Sequence, residues 1–102
     1  MISKDIIEQL AAEELVDANT KHEPSFNSPH EAYAVILEEF EEMKYEMRVC
    51  ESYLGSIWDD IKTDDNASTK SFLEYLKKRA VMAVQEGIQV IAMCDKALKL
   101  YD

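Results

Sequence analysis

Two short acidic segments carry side chains spaced for metal binding: residues 38–42 (EEFEE) and residues 86–89 (EGIQ). In each segment, two oxygen-bearing side chains stand three residues apart, so both lie on one edge of a helix. The pairs are Glu39 with Glu42, and Glu86 with Gln89. If the two helices pack together, the pairs converge, and clustered carboxylates on facing helices suit a hard cation such as Mg²⁺. The spacing therefore points to metal-dependent phosphate chemistry.

Both segments occupy the same positions of an apolar heptad repeat (positions a to g). With Tyr33 as position a of one repeat and Leu73 as position a of the other, the first member of each acidic pair falls at g and the second at c. Apolar residues flank both edges, as expected of a partly buried site. The alternative is a solvated acidic face, because 21 acidic residues produce this spacing by chance and Glu favours helices. That alternative applies most strongly to Glu38 and Glu41.

The pattern Glu38-Glu39-x-x-Glu42 on one long helix, with Glu86 opening a second motif, resembles the MazG-like all-α nucleoside triphosphate pyrophosphatases. In that family, E-x-x-E and E-x-x-D motifs on adjacent helices bind Mg²⁺, and Mn²⁺ is an alternative. The metal bridges the phosphates of an NTP or dNTP while a water attacks to release pyrophosphate. The resemblance covers residues 28 to about 99. It implies that the metal ligands are Glu39, Glu42 and Glu86. It also implies that Glu38 acts beside Glu39 in catalysis, as a fourth ligand or as the group that orients the water.

Three further residues are candidates for substrate contact. Gln89 stands where the family has Asp, so its uncharged amide would be a weak ligand or would touch the substrate. Lys78 and Arg79 precede Glu86 by one to two helical turns, and Arg79 shares position g with it, so these cations could meet a phosphate. The alternatives for them are a solvated basic turn or an ion pair with an acidic neighbour.

Composition narrows the classes of function. The formal net charge of −10 disfavours direct binding to nucleic acid or to an anionic membrane surface. It leaves open a second function, a non-catalytic acidic interaction protein that mimics nucleic acid in a basic protein groove. No segment is apolar enough for a membrane span or a signal peptide. Two cysteines at core heptad positions, Cys50 and Cys94, fit reduced thiols, so we expect a cytoplasmic protein.

The elements that must position these residues are three helices in one all-α domain spanning residues 1–102. With only 2 Gly and 2 Pro, the sequence predicts helix 1 at about residues 3–18, helix 2 at 28–62 and helix 3 at 68–100. Ser28-Pro29-His30-Glu31 forms a capping box at the start of helix 2. Helix 3 begins at Ser68 or Ser71. The long helices should form a hairpin that helix 1 covers only in part, so a homo-oligomer (dimer or tetramer) should complete a four-helix-type bundle.

Overall fold

The computed structural model describes all 102 residues and contains helices but no strand. Helix α1 spans Lys4–Lys21, α2 spans Pro29–Lys62 and α3 spans Asn66–Leu98, followed by a short 3₁₀ turn at Lys99–Tyr101. The prediction of an all-α protein with two long helices is confirmed. The molecule is elongated, with extents of 56 × 26 × 21 Å. None of its helices combines the length and the apolar composition that a bilayer crossing requires.

Side-chain caps set where the helices begin. Ser3 caps α1, and the Ser28 hydroxyl accepts a hydrogen bond from the Glu31 amide at 3.1 Å, as the capping box predicts. Helix α3 begins earlier than either predicted serine, because the Asp65 carboxylate accepts from the Ser68 amide at 3.1 Å. Aspartate is as good an N-cap as serine, so the polar turn itself supplies the cap.

A tight turn reverses the chain between α2 and α3. Asp64 adopts the left-handed conformation with φ of 56°, which Asp tolerates better than most residues. The Ser68 hydroxyl donates to the Asp60 carboxylate across this turn. These local interactions fold α3 back along α2 as an antiparallel hairpin.

The seam of the hairpin uses heptad rows d and g instead of the apolar rows a and d. The d and g side chains of both helices are buried or half-buried over the whole length of the hairpin. The large a side chains of α2 stay exposed; they are Tyr33, Phe40, Met47, Leu54 and Ile61. Side chains of the two g rows contact each other across the seam. For example, the ring centroids of Tyr53 and Phe72 are 5.8 Å apart. Pairing along g leaves a large apolar row unpartnered on the outer surface.

Helix α1 packs against α3 near the open end of the hairpin. Ala11 of α1 and Ala92 of α3 are both fully buried, and small side chains let two helix backbones approach closely. Phe26, from the loop between α1 and α2, and Met93 join the same core. Helix α1 therefore lies beside one end of the hairpin, where the N-terminal half of α2 meets the C-terminal half of α3.

Gly87 and Gly55 differ in how closely another helix approaches them. A Cβ at Gly87 would lie 3.3 Å from Met43 Sδ, so α3 does approach α2 closely at this point. A Cβ at Gly55 would meet nothing within 4 Å, so this glycine serves no close contact. Both cysteines are free, but only Cys50 is half-buried, whereas Cys94 lies exposed in the outward-facing a row. The expected core position of Cys94 is therefore wrong for this chain.

Candidate metal centre

The two acidic motifs meet because the g rows of the antiparallel helices face each other residue by residue. Glu46 of α2 lies opposite Arg79 of α3, with Glu46 Oε2 and Arg79 Nη1 3.1 Å apart. Seven residues nearer the open end of the hairpin, the same register brings Glu39 of α2 opposite Glu86 of α3. The g positions of the seam thus pair opposite charges at Glu46 and Arg79. One heptad further along, they pair the like charges of Glu39 and Glu86.

Glu42 completes a cluster of three carboxylates. It follows Glu39 by three residues, and one oxygen of each of Glu39, Glu42 and Glu86 lies within 4.8 Å of the others. Glu39 and Glu86 are half-buried in the seam, whereas Glu42 is exposed at its edge. Three carboxylate oxygens at this separation, open to solvent on one side, suit Mg²⁺ or Mn²⁺, which prefer oxygen ligands.

The electrostatics of the cluster reflect its uncompensated negative charge. Partial burial, followed by the charges of Glu42, Glu86 and Glu38, raises the pKa of Glu39 to about 7. Burial also raises the pKa of Glu86, and its hydrogen bond to Glu42 adds to the effect. Without a cation, the cluster therefore retains a proton near neutral pH. A divalent cation would displace that proton and relieve the repulsion.

Two open cavities flank the cluster. The first, of about 610 Å³, is bordered by Glu42, Glu46 and Glu86. The second, of about 650 Å³, lies between α1, the loop after it and both long helices, and Glu39 borders it. Glu38 is exposed and borders both cavities, outside the set of three carboxylates but beside it.

Gln89 is held by a residue of α1 that the sequence analysis did not single out. Its Nε2 donates to Glu14 Oε1 at 2.6 Å, in a half-buried position bordering the second cavity. The bond engages the amide nitrogen and leaves the carbonyl oxygen of Gln89 available to a ligand. Glu14 thus places a carboxylate beside Gln89.

The two predicted basic contacts lie away from the three carboxylates. The Arg79 guanidinium is bound to Glu46, which is only 7% exposed, so the ion-pair alternative describes this residue in the free protein. Lys78 borders a separate groove together with Glu74 and Met82. Both hydrogen bonds to Glu46 come from Nη1 of Arg79.

The sequence analysis missed three residues, Glu14, Glu46 and Lys96. The heptad positions of Glu46 and Lys96 could have indicated their places in the structure. Glu46 stands seven residues after Glu39, and Arg79 stands seven residues before Glu86. The register that pairs Glu39 with Glu86 therefore also pairs Glu46 with Arg79. Lys96 stands seven residues after Gln89 and lines the second cavity. Glu14 left no such signal, because its position depends on how α1 docks on α3.

Comparison with protein-family models, with curated protein sequences and with solved structures finds no match to this chain.

The contact between Gln89 and Glu14 predicts the effect of a charge at position 89. Gln89→Glu places a second carboxylate at hydrogen-bond distance from Glu14, so it should lower the free energy of unfolding by about 1.5–3 kcal/mol. Urea unfolding at pH 8 in the presence of a chelator measures this loss. Gln85→Glu makes the same charge change at an exposed position of α3 and should cost little. The combination of Glu14→Gln with Gln89→Glu should restore stability, and equal losses in both single variants would contradict the contact.

The raised pKa of Glu39, about 7 against the ordinary 4.5, predicts a pH dependence with a definite sign. Between these two values the folded protein binds more protons than the unfolded chain, so its stability falls as pH rises. Metal-free protein should therefore melt lower at pH 8 than at pH 5.5, and Glu39→Gln should flatten this slope more than Glu41→Gln at an exposed position. Because Mg²⁺ competes with the proton, its stabilising effect should be larger at pH 8. Thermal melts with and without Mg²⁺ at both pH values would disprove this if the metal effect were greater at pH 5.5.

Proposed function

We propose that the protein is a Mg²⁺-dependent nucleoside triphosphate pyrophosphohydrolase that converts an NTP or dNTP to the monophosphate and pyrophosphate. The observation that carries this proposal is the convergence of Glu39, Glu42 and Glu86 within 4.8 Å across the hairpin seam. The cavities of about 610 and 650 Å³ beside this cluster are within the range of sites for small molecules. The resemblance of the two motifs to the MazG-like family supports the same activity.

The proposed mechanism assigns a role to each carboxylate. Glu39, Glu42 and Glu86 would hold the cation, which would neutralise the polyphosphate and lower the pKa of the attacking water. Glu38, beside the cluster and free in solvent, serves as a fourth ligand or orients that water. Glu14 holds the amide nitrogen of Gln89, so the carbonyl oxygen of Gln89 is the atom that would contact the ligand. The water oxygen bonds to the α-phosphorus and gives up a proton to solvent as the bond to pyrophosphate breaks.

The proposal is tested by assaying pyrophosphate release from a panel of NTPs and dNTPs with Mg²⁺. Glu42→Gln and Glu86→Gln should each lower kcat/KM by about 100-fold or more, since even outer-shell partners of a metal typically cost 10- to 100-fold. Glu51→Gln removes the same charge from an exposed position of α2 that lines neither cavity and should leave the rate nearly unchanged. Absence of pyrophosphate release with every nucleotide would refute the enzyme and favour the acidic interaction protein.

We further propose that the protein is a homo-oligomer, most simply a dimer that completes a four-helix bundle. Only 8 of the 102 residues are buried in the single chain. The a row of α2 is apolar and exposed, from Tyr33 (68% exposed) to Ile61. In an antiparallel pair joined along rows d and g, the a rows of both helices lie on the same face, so exposed Leu73 of α3 extends this surface. A second copy would bury it, as isologous dimers do.

Light scattering tests the oligomer directly. The wild-type protein should have the mass of a dimer or tetramer at micromolar concentration. Met47→Lys and Leu54→Lys place charges in the a row and should yield monomers or unfolded chains. Val16→Lys, at an exposed apolar position of α1, is the matched control and should keep the wild-type mass. A stable folded wild-type monomer would refute this proposal.

A further inference from the structure

Lys96 is a buried cation without an acidic partner. It is only 5% exposed, although it belongs to a chain with 21 acidic residues. The ion pairs of the protein join Lys21 to Asp17, Lys62 to Asp59 and Arg79 to Glu46, and no carboxylate oxygen lies within 4.0 Å of Lys96 Nζ. Buried ammonium groups normally have a counter-ion, because taking the charge out of water is costly. Lys96 therefore lacks the counter-ion that a buried ammonium group normally has.

Two neutral groups hold Lys96 in place. Its Nζ donates to the backbone carbonyl oxygen of Glu23 at 2.7 Å and lies 4.7 Å from the centroid of the Phe26 ring. Both neighbours belong to the loop between α1 and α2, so Lys96 fixes this loop as one wall of the second cavity. An ammonium group has three N–H donors, and the carbonyl oxygen accepts only one of them. Lys96 borders the cavity and retains capacity for an acceptor from a ligand.

The position of Lys96 relative to the carboxylates suits one extended ligand. Lys96 follows Glu86, the proposed metal ligand on α3, by ten residues and lies about 15 Å from it along the helix, and it follows Gln89 by seven residues, or about 10 Å. The same cavity of about 650 Å³ is bordered by Glu39 and Gln89 at one end and by Lys96 at the other. A group bound by the metal at the first end could therefore continue to the ammonium at the second.

The charge of the cavity decides which kind of group reaches Lys96. Carboxylates of Glu14, Asp17 and Glu31 also border the cavity, and Lys21, the other lysine there, is exposed and paired with Asp17. A free anion is repelled by these carboxylates, whereas a divalent cation carried with the anion reduces that repulsion. The ammonium group of Lys96 is the buried group in this cavity that attracts a negatively charged part of a ligand.

We propose that Lys96 is the phosphate-binding cation of this protein, and that it pairs with a phosphate group of a polyphosphate ligand whose metal-bound portion lies at the carboxylate cluster. This inference rests on the proposed function and assigns to Lys96 the role that the sequence analysis gave to Lys78 and Arg79. It also gives the loop from α1 to α2 a part in binding, because Glu23 and Phe26 position the ammonium.

Calorimetric titration with inorganic tripolyphosphate in the presence of Mg²⁺ tests the assignment without requiring turnover. Lys96→Gln removes the charge but keeps an N–H donor for the Glu23 carbonyl, and Lys96→Met removes both. Each should weaken tripolyphosphate binding by about 10-fold or more, the usual effect of a hydrogen bond to a charged group. Lys96→Arg should lose less, and Lys99→Met, a loss of charge at an exposed position just beyond α3, should lose nothing.

Two further measurements separate this inference from a merely structural role and from the proposed function. Binding of Mg²⁺ alone should be the same in wild type and Lys96→Gln, which shows that the carboxylate cluster is intact. Unchanged tripolyphosphate affinity in Lys96→Gln would overturn the role of Lys96. The role would also be overturned if this substitution weakened only the binding of uncharged nucleosides. Lys96-dependent binding of tripolyphosphate without any pyrophosphate release from nucleotides would support this inference while refuting the catalytic proposal.

Discussion

The organisation of the molecule depends on charged side chains at the seam of a two-helix hairpin. Rows d and g of α2 and α3 face each other, and the g positions carry Glu39 and Glu46 against Glu86 and Arg79. A charge in such a position requires a partner, since a half-buried carboxylate loses solvation. Arg79 provides that partner at one level, whereas at the next level two carboxylates face each other and the pKa of Glu39 rises to about 7. The fold therefore holds a local repulsion that a divalent cation would relieve.

The N-terminal third of the chain changes what this hairpin can bind. Helix α1 packs on α3 through Ala11 and Ala92, and this places Glu14 against Gln89. The loop that follows α1 is held by Lys96, and a cavity closes between the loop and both long helices. The hairpin provides the cluster of carboxylates, and α1 with its loop adds a walled cavity with an acidic side and a buried cation. A polyphosphate bound to its metal matches both features of this cavity.

The same seam explains the apolar surface that remains outside. Each long helix has more apolar rows than one neighbour can cover, and the hairpin uses row d together with the largely polar row g. The remaining a row, which includes Phe40, Met47 and Leu54, is then exposed on one face of the hairpin. Burial of this face by a second copy would add the hydrophobic stabilisation that the single chain lacks, since so little of it is buried.

The sequence by itself determined the helices, the cap of α2 at Ser28, and the matched register of the two acidic motifs. These features follow from local propensity and from spacing along one helix, which neighbouring residues decide. The tertiary structure decided that row g lies inside the seam, that Arg79 is occupied by Glu46, and that Lys96 is buried beside the cavity. It also placed Glu14 on Gln89, 75 residues apart in the chain. Such contacts depend on which face of each helix meets its neighbour, and several apolar rows of similar strength left that choice open until the helices were packed together.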